Sequence, residues 1–286
     1  MGRRIILFMA VMTLNSMMLN AELLVKSGEK VAFLGDSITR AGWLDQPNGY
    51  LHLVQMGLQQ SGSEITVIPC GVNGNTSKNM LQRFNKDVVR QSPAWVLISC
   101  GVNDVWHGEK GVKIADYKKN ITSMVDMARK AGIKVMILTA TMILEDPKNE
   151  MNSKLSEYND FLRQLAAERK LPLADLNVDM NKIVADPKTP LNSRHNKLTY
   201  DGVHMDSTGN RMMADGILKA FGVPASELVK IQREWMTYPD STRVGFNFSI
   251  PQWRTVEIAA QKAGKSVDDY VRDAALQVAS GAGKNN

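Results

Sequence analysis

Ser37 closes the apolar run Val31-Ala-Phe-Leu-Gly-Asp-Ser37, a strand pattern that ends abruptly in turn-forming residues. Far downstream, Asp201-Gly-Val-His204 places a carboxylate three residues before an imidazole. A hydroxyl, an imidazole and a carboxylate form the set that attacks a carbonyl carbon: His204 takes the Ser37 proton, and Asp201 fixes the ring tautomer. The resulting oxyanion needs donors aimed at it. The candidates are the backbone N–H groups of Ser37 and Gly74 and the side-chain amide of Asn103. Taken singly, each motif is equally an ordinary turn or a helix cap.

Position is what joins them. Strand patterns fall at Lys30–Gly35, Glu64–Cys70, Ala94–Cys100, Ile133–Ala140 and Leu173–Leu176. Helical patterns lie between them, near 47–61, 77–90, 114–131 and 152–170, with another after Asp206. Strands alternating with helices in this way predict right-handed crossovers and a parallel sheet. The expected fold is an α/β three-layer αβα sandwich around a five-stranded parallel sheet, followed by a mainly helical C-terminal extension. Ser37, Gly74 and Asn103 then follow strands one, two and three on the rim where open α/β sheets carry their sites. Asp201 and His204 come just before a helix that Asp206 or Ser207 would cap.

The blocks Gly35-Asp-Ser-Ile38, Gly71-Val-Asn-Gly-Asn-Thr76, Gly101-Val-Asn-Asp104 and Asp201-Gly-Val-His204 resemble the four blocks of the SGNH hydrolases, or GDSL esterases, over roughly residues 29–220. The resemblance implies a flavodoxin-like sandwich, with strand order 2-1-3-4-5, and metal-free hydrolysis of esters, with no cofactor. By position Ser37, Gly74, Asn103 and His204 are the name-giving residues, and Asp201 completes the triad. Two departures are small: Ile38 replaces a leucine, and Asn75 stands where aspartate is common, which leaves the hydrogen bonding around the second block open.

Other polar and aromatic residues are read more plainly. Asp36 is expected to brace the nucleophile turn and Asp104 to position the loop bearing Asn103. Trp43, Tyr50, Trp106 and His107 follow the blocks and are candidate substrate platforms, with packing beneath the rim as the alternative. His52 and His195 are expected to be structural or solvated. Cys70 and Cys100 end strands on either side of strand one, too far apart for a disulfide, and are expected to be buried thiols. No cluster of Cys, His and carboxylates has metal-ligand spacing.

Domain expectations are three. Arg3 and Arg4, the apolar stretch Ile5–Leu14 and Leu19-Asn-Ala21 form the layout of a signal peptide over residues 1–21, which implies export to periplasm or medium rather than stable membrane insertion. Its removal leaves 33 basic against 29 acidic residues, so the formal charge falls from +6 to +4, a balance that selects no partner class. Residues 22–222 form the hydrolase domain, and residues 223–286 an extension. In the extension Pro224–Trp235 reads as a helix, Val244–Ile250 as a half-buried strand, and 251–263 and 266–280 as helices. This order faintly resembles a ribbon-helix-helix module, so the extension is either a small cap or a homodimerisation element; export argues against nucleic acid as its partner. The expected substrate is an acetyl ester on a carbohydrate. The alternatives are a lipid-directed acylhydrolase and a non-catalytic glycan-binding protein.

Overall fold

The computed structural model describes residues 23–192, 194–238 and 248–280. Its sheet has five parallel strands, β1 (Lys30–Gly35), β2 (Thr66–Gly71), β3 (Trp95–Ser99), β4 (Lys134–Leu138) and β5 (Leu173–Ala174), in the expected order β2-β1-β3-β4-β5. Val31 to Gly35 and all of β3 are buried. This explains their unbroken apolar runs, since a parallel strand covered on both faces has no polar side to alternate with. Pro69 lies in β2, an edge strand, where a missing N–H costs least.

Helices pack in two groups. One comprises α1 (Ser37–Leu44), α2 (Tyr50–Gln60), α7 (Leu176–Ala185), α8 (Ser207–Ala220) and α9 (Ala225–Trp235). The other comprises α3 (Ser77–Asp87), α4 (Val102–Trp106), α5 (Ile114–Lys130) and α6 (Glu150–Arg169). β5 stops at Ala174 rather than Leu176, because Leu176 already begins α7. Cys70 and Cys100 are buried on either side of β1.

The chain divides into two compact units, 1–242 and 243–286. Leu228, Ile231 and Trp235 bury one face of α9, which packs on α2 and α8. The expected boundary at residue 222 thus falls inside the first unit. The second unit is a hairpin of α10 (Ile250–Lys262) and α11 (Val267–Ala279). Of the expected strand Val244–Ile250, residues 244–247 lie outside the described residues. Phe248 and Ser249 are not extended into a strand, and Ile250 opens α10. The expected signal segment, residues 1–21, also lies outside the described residues. Among the described residues no helix is long and apolar enough to cross a membrane.

Candidate active site

Ser37 is the first residue of α1, which starts directly where β1 ends. The turn is tight enough that a Cβ on Gly35 would overlap the Thr39 side chain, so glycine suits the close return of the helix. Asp36 caps α1: its carboxylate accepts from the Ile38 N–H at 2.9 Å, a bond of the kind worth about 1 kcal/mol. As a first-turn residue of α1, Ser37 has a backbone N–H that no carbonyl of its own helix can meet.

His204 and Asp201 arrive from the opposite direction, on a short loop before α8. Thr199 and Met205 form an antiparallel bridge, and the Tyr200 N–H donates to the His204 carbonyl at 3.0 Å. Asp201 folds back on its own loop: Oδ1 accepts from the backbone N–H groups of Val203 and His204 at 3.0 and 2.8 Å. Its other oxygen lies 2.6 Å from His204 Nδ1, and His204 Nε2 lies 2.8 Å from Ser37 Oγ. Residues 167 positions apart are therefore within hydrogen-bond reach. Partial burial opposes ionisation of Asp201, but the bonds from the His204 backbone and ring and from Val203 outweigh it and hold the carboxyl below its ordinary range. An ionised Asp201 keeps the proton on Nδ1, which leaves Nε2 to accept from the Ser37 hydroxyl.

The loop itself is pinned. Glu145 accepts from the Lys197 N–H at 2.5 Å, the Leu198 N–H at 2.9 Å and the Thr199 hydroxyl at 2.6 Å. Thr199 Oγ1 in turn accepts from the Gly202 N–H at 3.0 Å, inside the Asp201–His204 turn. Asp206, rather than Ser207, caps α8 through the N–H groups of Thr208 and Gly209.

Donors gather from the other two blocks. Gly74 sits in the loop between β2 and α3 with φ +70°, a left-handed conformation with open space where a side chain would be. Asn103, second residue of α4, donates through Nδ2 to Asp36 Oδ2 and to the Asn75 carbonyl, each at 3.2 Å. Its amide thus touches both the first and the second block. Burial pushes the Asp36 carboxyl up to about 6 against the Ile38 bond and the His204 charge. Asp104 is buried and accepts from the Ser77 N–H and from the Ser77 hydroxyl at 2.5 Å, which ties α4 to the start of α3. Burial raises the Asp104 carboxyl despite those bonds. Asn75, whose bonding was open, accepts through Oδ1 from Arg83 Nε at 2.7 Å.

The aromatic candidates separate. Tyr50 is 1% exposed, and its hydroxyl donates to Thr39 Oγ1 at 2.8 Å. It is a core residue rather than a substrate platform, because it faces the sheet beneath α1. Trp43 is half-buried and stacks on His52 at 4.4 Å, while His52 Nε2 bonds the Trp43 carbonyl at 2.7 Å, so His52 is structural. Trp106 is 43% exposed at the end of α4, and His107 beside it is exposed. His195 is exposed in the loop. The sequence reading missed Tyr200. Its ring stacks 5.7 Å from the His204 imidazole at 14° and is 39% exposed. An aromatic residue directly before the Asp-x-x-His turn was the available signal. Among the described residues no group of His, Cys, Asp and Glu has the arrangement to hold a metal ion.

Such a site can move a proton from a hydroxyl to an imidazole and present amide donors to the oxygen that becomes negative. Comparison with known proteins agrees with that chemistry. The model of the GDSL-like Lipase/Acylhydrolase family matches residues 33–212. An acetylxylan esterase of Geobacillus stearothermophilus is 30% identical over 217 residues, 69% of this chain and 96% of that protein. Esterase TesA of Pseudomonas aeruginosa is 29% identical over 147 residues, covering 51% of this chain and 70% of its own. The crystal structure of the acetylxylan esterase Axe2 from Geobacillus stearothermophilus superposes with a TM-score of 0.62 at 27% identity, covering 71% of this chain and 98% of that one. That of the acetyl xylan esterase AlAXEase gives 0.59 at 32% identity, covering 67% and 98%. The match takes in all four blocks and most of the first unit, and the chain belongs to the GDSL-like Lipase/Acylhydrolase family of serine esterases.

Proposed function

We propose that this chain removes acetyl groups from a carbohydrate, with Ser37 as nucleophile, His204 as general base and acid, and Asp201 as its orienter. The continuous hydrogen-bonded line from Ser37 Oγ through the imidazole to Asp201, at 2.8 and 2.6 Å, carries the reading. Ser37 Oγ attacks the ester carbonyl while its proton passes to His204 Nε2. The carbonyl oxygen, now negative, receives the N–H groups of Ser37 and Gly74 and an Asn103 amide hydrogen that it shares with the long bond to Asp36. His204 then gives its proton to the leaving sugar oxygen, and the acetyl group remains on Ser37. A water, deprotonated by the same imidazole, releases acetate and restores the hydroxyl. The choice of acyl group and alcohol is supported by the resemblance to acetylxylan esterases over nearly their whole length. Exposed Tyr200, stacked on the His204 ring, and exposed Trp106, at the end of the helix that carries Asn103, add flat apolar faces of the kind that stack on sugar rings. The enzyme is exported, a reading supported by the paired arginines and short apolar core of residues 1–21.

One preparation tests these statements together. Enzyme recovered from periplasm or medium is expected to begin near residue 22 by N-terminal sequencing and to release acetate from acetylated xylooligosaccharides. Ser37→Ala is expected to lower kcat by about 10⁴-fold or more while oligosaccharide binding persists. Activity of Ser37→Ala within tenfold of wild type overturns the assignment of the nucleophile. A chain-length profile on nitrophenyl esters that peaks at eight carbons or more overturns the acetyl reading in favour of a lipid substrate.

A further inference from the structure

Arg83 lies on α3, outside all four sequence blocks, with its side chain 15% exposed. A guanidinium is a flat fork of donors whose directions are fixed relative to one another. Here each edge meets a different part of the molecule. Nε donates to Asn75 Oδ1 at 2.7 Å, Nη2 to the Gly35 carbonyl at 2.8 Å, and Nη1 to Asp87 Oδ2 at 2.8 Å. The bond to Asp87 is an ordinary ion pair one helical turn along. It explains one edge and leaves the other two.

Those two edges reach the proposed oxyanion donors. Gly35 precedes the cap residue Asp36 and stands two residues before Ser37, whose N–H is the first donor. Asn75 directly follows Gly74, whose N–H is the second. The Asn75 carbonyl accepts from Asn103 Nδ2, the third donor, at 3.2 Å. All three donors therefore lie within two residues, or one hydrogen bond, of a group the guanidinium holds. We propose that Arg83 is the positioning residue of the oxyanion hole: one rigid plane sets the separation between the nucleophile turn and the Gly74–Asn75 loop. Asn75 is its link, supplying an acceptor to Arg83 through its side chain and another to Asn103 through its backbone. This rests on the esterase reading, because it presumes that the three donors meet a developing oxyanion.

The test uses the full chain, with nitrophenyl acetate as substrate and phenylboronic acid as a tetrahedral mimic. In the adduct the Ser37 Oγ–boron bond forms and the hydroxyl proton passes to His204. Arg83→Lys keeps the charge and loses the fork. Its kcat is expected to fall about 10- to 100-fold with KM changed less than about threefold, since small misplacement of groups acts on the transition state. Boronate affinity is expected to fall in proportion. Asn75→Ala, which removes one acceptor and leaves Arg83 in place, is expected to show the same paired loss, and it serves should the Arg83 variant not fold. Asp87→Asn breaks the ion pair alone and is expected to stay within about threefold of wild type in kcat. The proposal is overturned by Arg83→Lys within twofold of wild type, by lost kcat with unchanged boronate affinity, or by Asp87→Asn as impaired as Arg83→Lys. Wild-type protein that fails to turn over the ester defeats the esterase reading itself, a separate result.

Discussion

The two halves of the site are built by different physics. Ser37 follows an inner strand buried from Val31 to Gly35, and its turn is closed by a glycine packed under the Thr39 side chain and by a buried cap. His204 and Asp201 stand on a loop anchored in the core by Leu198 before them and Met205 after them, and held between those anchors by hydrogen bonds among Glu145, Thr199 and the loop backbone. The first half inherits its rigidity from the hydrophobic core, where displacement of any strand residue is felt by many neighbours. Between its two core anchors the second relies on polar bonds, worth about 1 kcal/mol each between neutral groups and about 1.5–3 kcal/mol to a carboxylate. The nucleophile side is therefore a fixed anvil, and the acid–base side a part whose alignment individual bonds can alter.

Asn103→Ala strikes the fixed half and, after loss of the Ser37 hydroxyl itself, carries the largest effect. Its amide is one of three donors proposed to meet the oxyanion, and loss of one such donor typically costs about 3–4 kcal/mol in the transition state. The expected result is a fall of about 10²- to 10³-fold in kcat with a change in KM of less than about threefold. α4 should hold its place, because the Asp104 bonds to Ser77 remain. A loss confined to KM would place Asn103 in ground-state binding and remove it from the oxyanion assignment.

Asp36→Asn separates rigidity from stability on the same half. Burial raises this carboxyl from its ordinary 3.8 to about 6, so folding favours its protonated form. Native protein then binds more protons than unfolded chain between those values, and stability declines as pH rises from about 4 through about 6. Above that window the ionised group costs up to about 3 kcal/mol, and Asn, which never ionises, should recover part of it. The variant should melt at higher temperature than wild type at pH 8 and show little difference at pH 4. Its activity should fall, because an amide nitrogen would face the Asn103 Nδ2 that now donates to Asp36. Equal melting temperatures at pH 8 would show that the carboxylate is not held at a cost. A variant both more stable and fully active would show that the Asp36–Asn103 bond does not serve the site.

The same division decides what could be read from the sequence. Apolar runs of β1, β3 and β4 and the helices between them were legible because burial on both faces leaves continuous hydrophobic stretches. Ser37, Gly74, Asn103, Asp201 and His204 were legible as short blocks placed at strand ends or before a helix cap. The five-residue α4 and the helix α7 were not, being too short or too weakly periodic to stand out. Alternation across Val244–Ile250 extends the expected strand too far at its described end, where Ser249 and Gln252 form a capping box, Ile250 opens α10 and Pro251 stands in its first turn. That signal was present in the residues and outranks a short alternation. Arg83, Glu145 and Thr199 leave no local trace. Each works through a partner brought near by the tertiary fold, Glu145 across more than 50 positions of chain, and no spacing rule reaches that far.

Glu145→Gln tests the adjustable half and should lower activity less than Asn103→Ala does. The carboxylate receives three donors on two oxygens, Lys197 N–H on one and Leu198 N–H with the Thr199 hydroxyl on the other. A glutamine retains one acceptor oxygen and turns an NH₂ toward at least one of those donors. Bonds to a charged acceptor are worth about 1.5–3 kcal/mol, so partial loss predicts a fall in kcat of roughly 5- to 30-fold. Hydrogen exchange then distinguishes a loosened loop from a general loss of stability. The amides of Leu198 and Gly202 should exchange faster in the variant, Gly202 because its bond runs to Thr199, while those of Val31 to Leu34 should keep their wild-type protection. Faster exchange in β1 as well would mean that the loop and the sheet share one cooperative unit, and the division between a fixed and an adjustable half would fail.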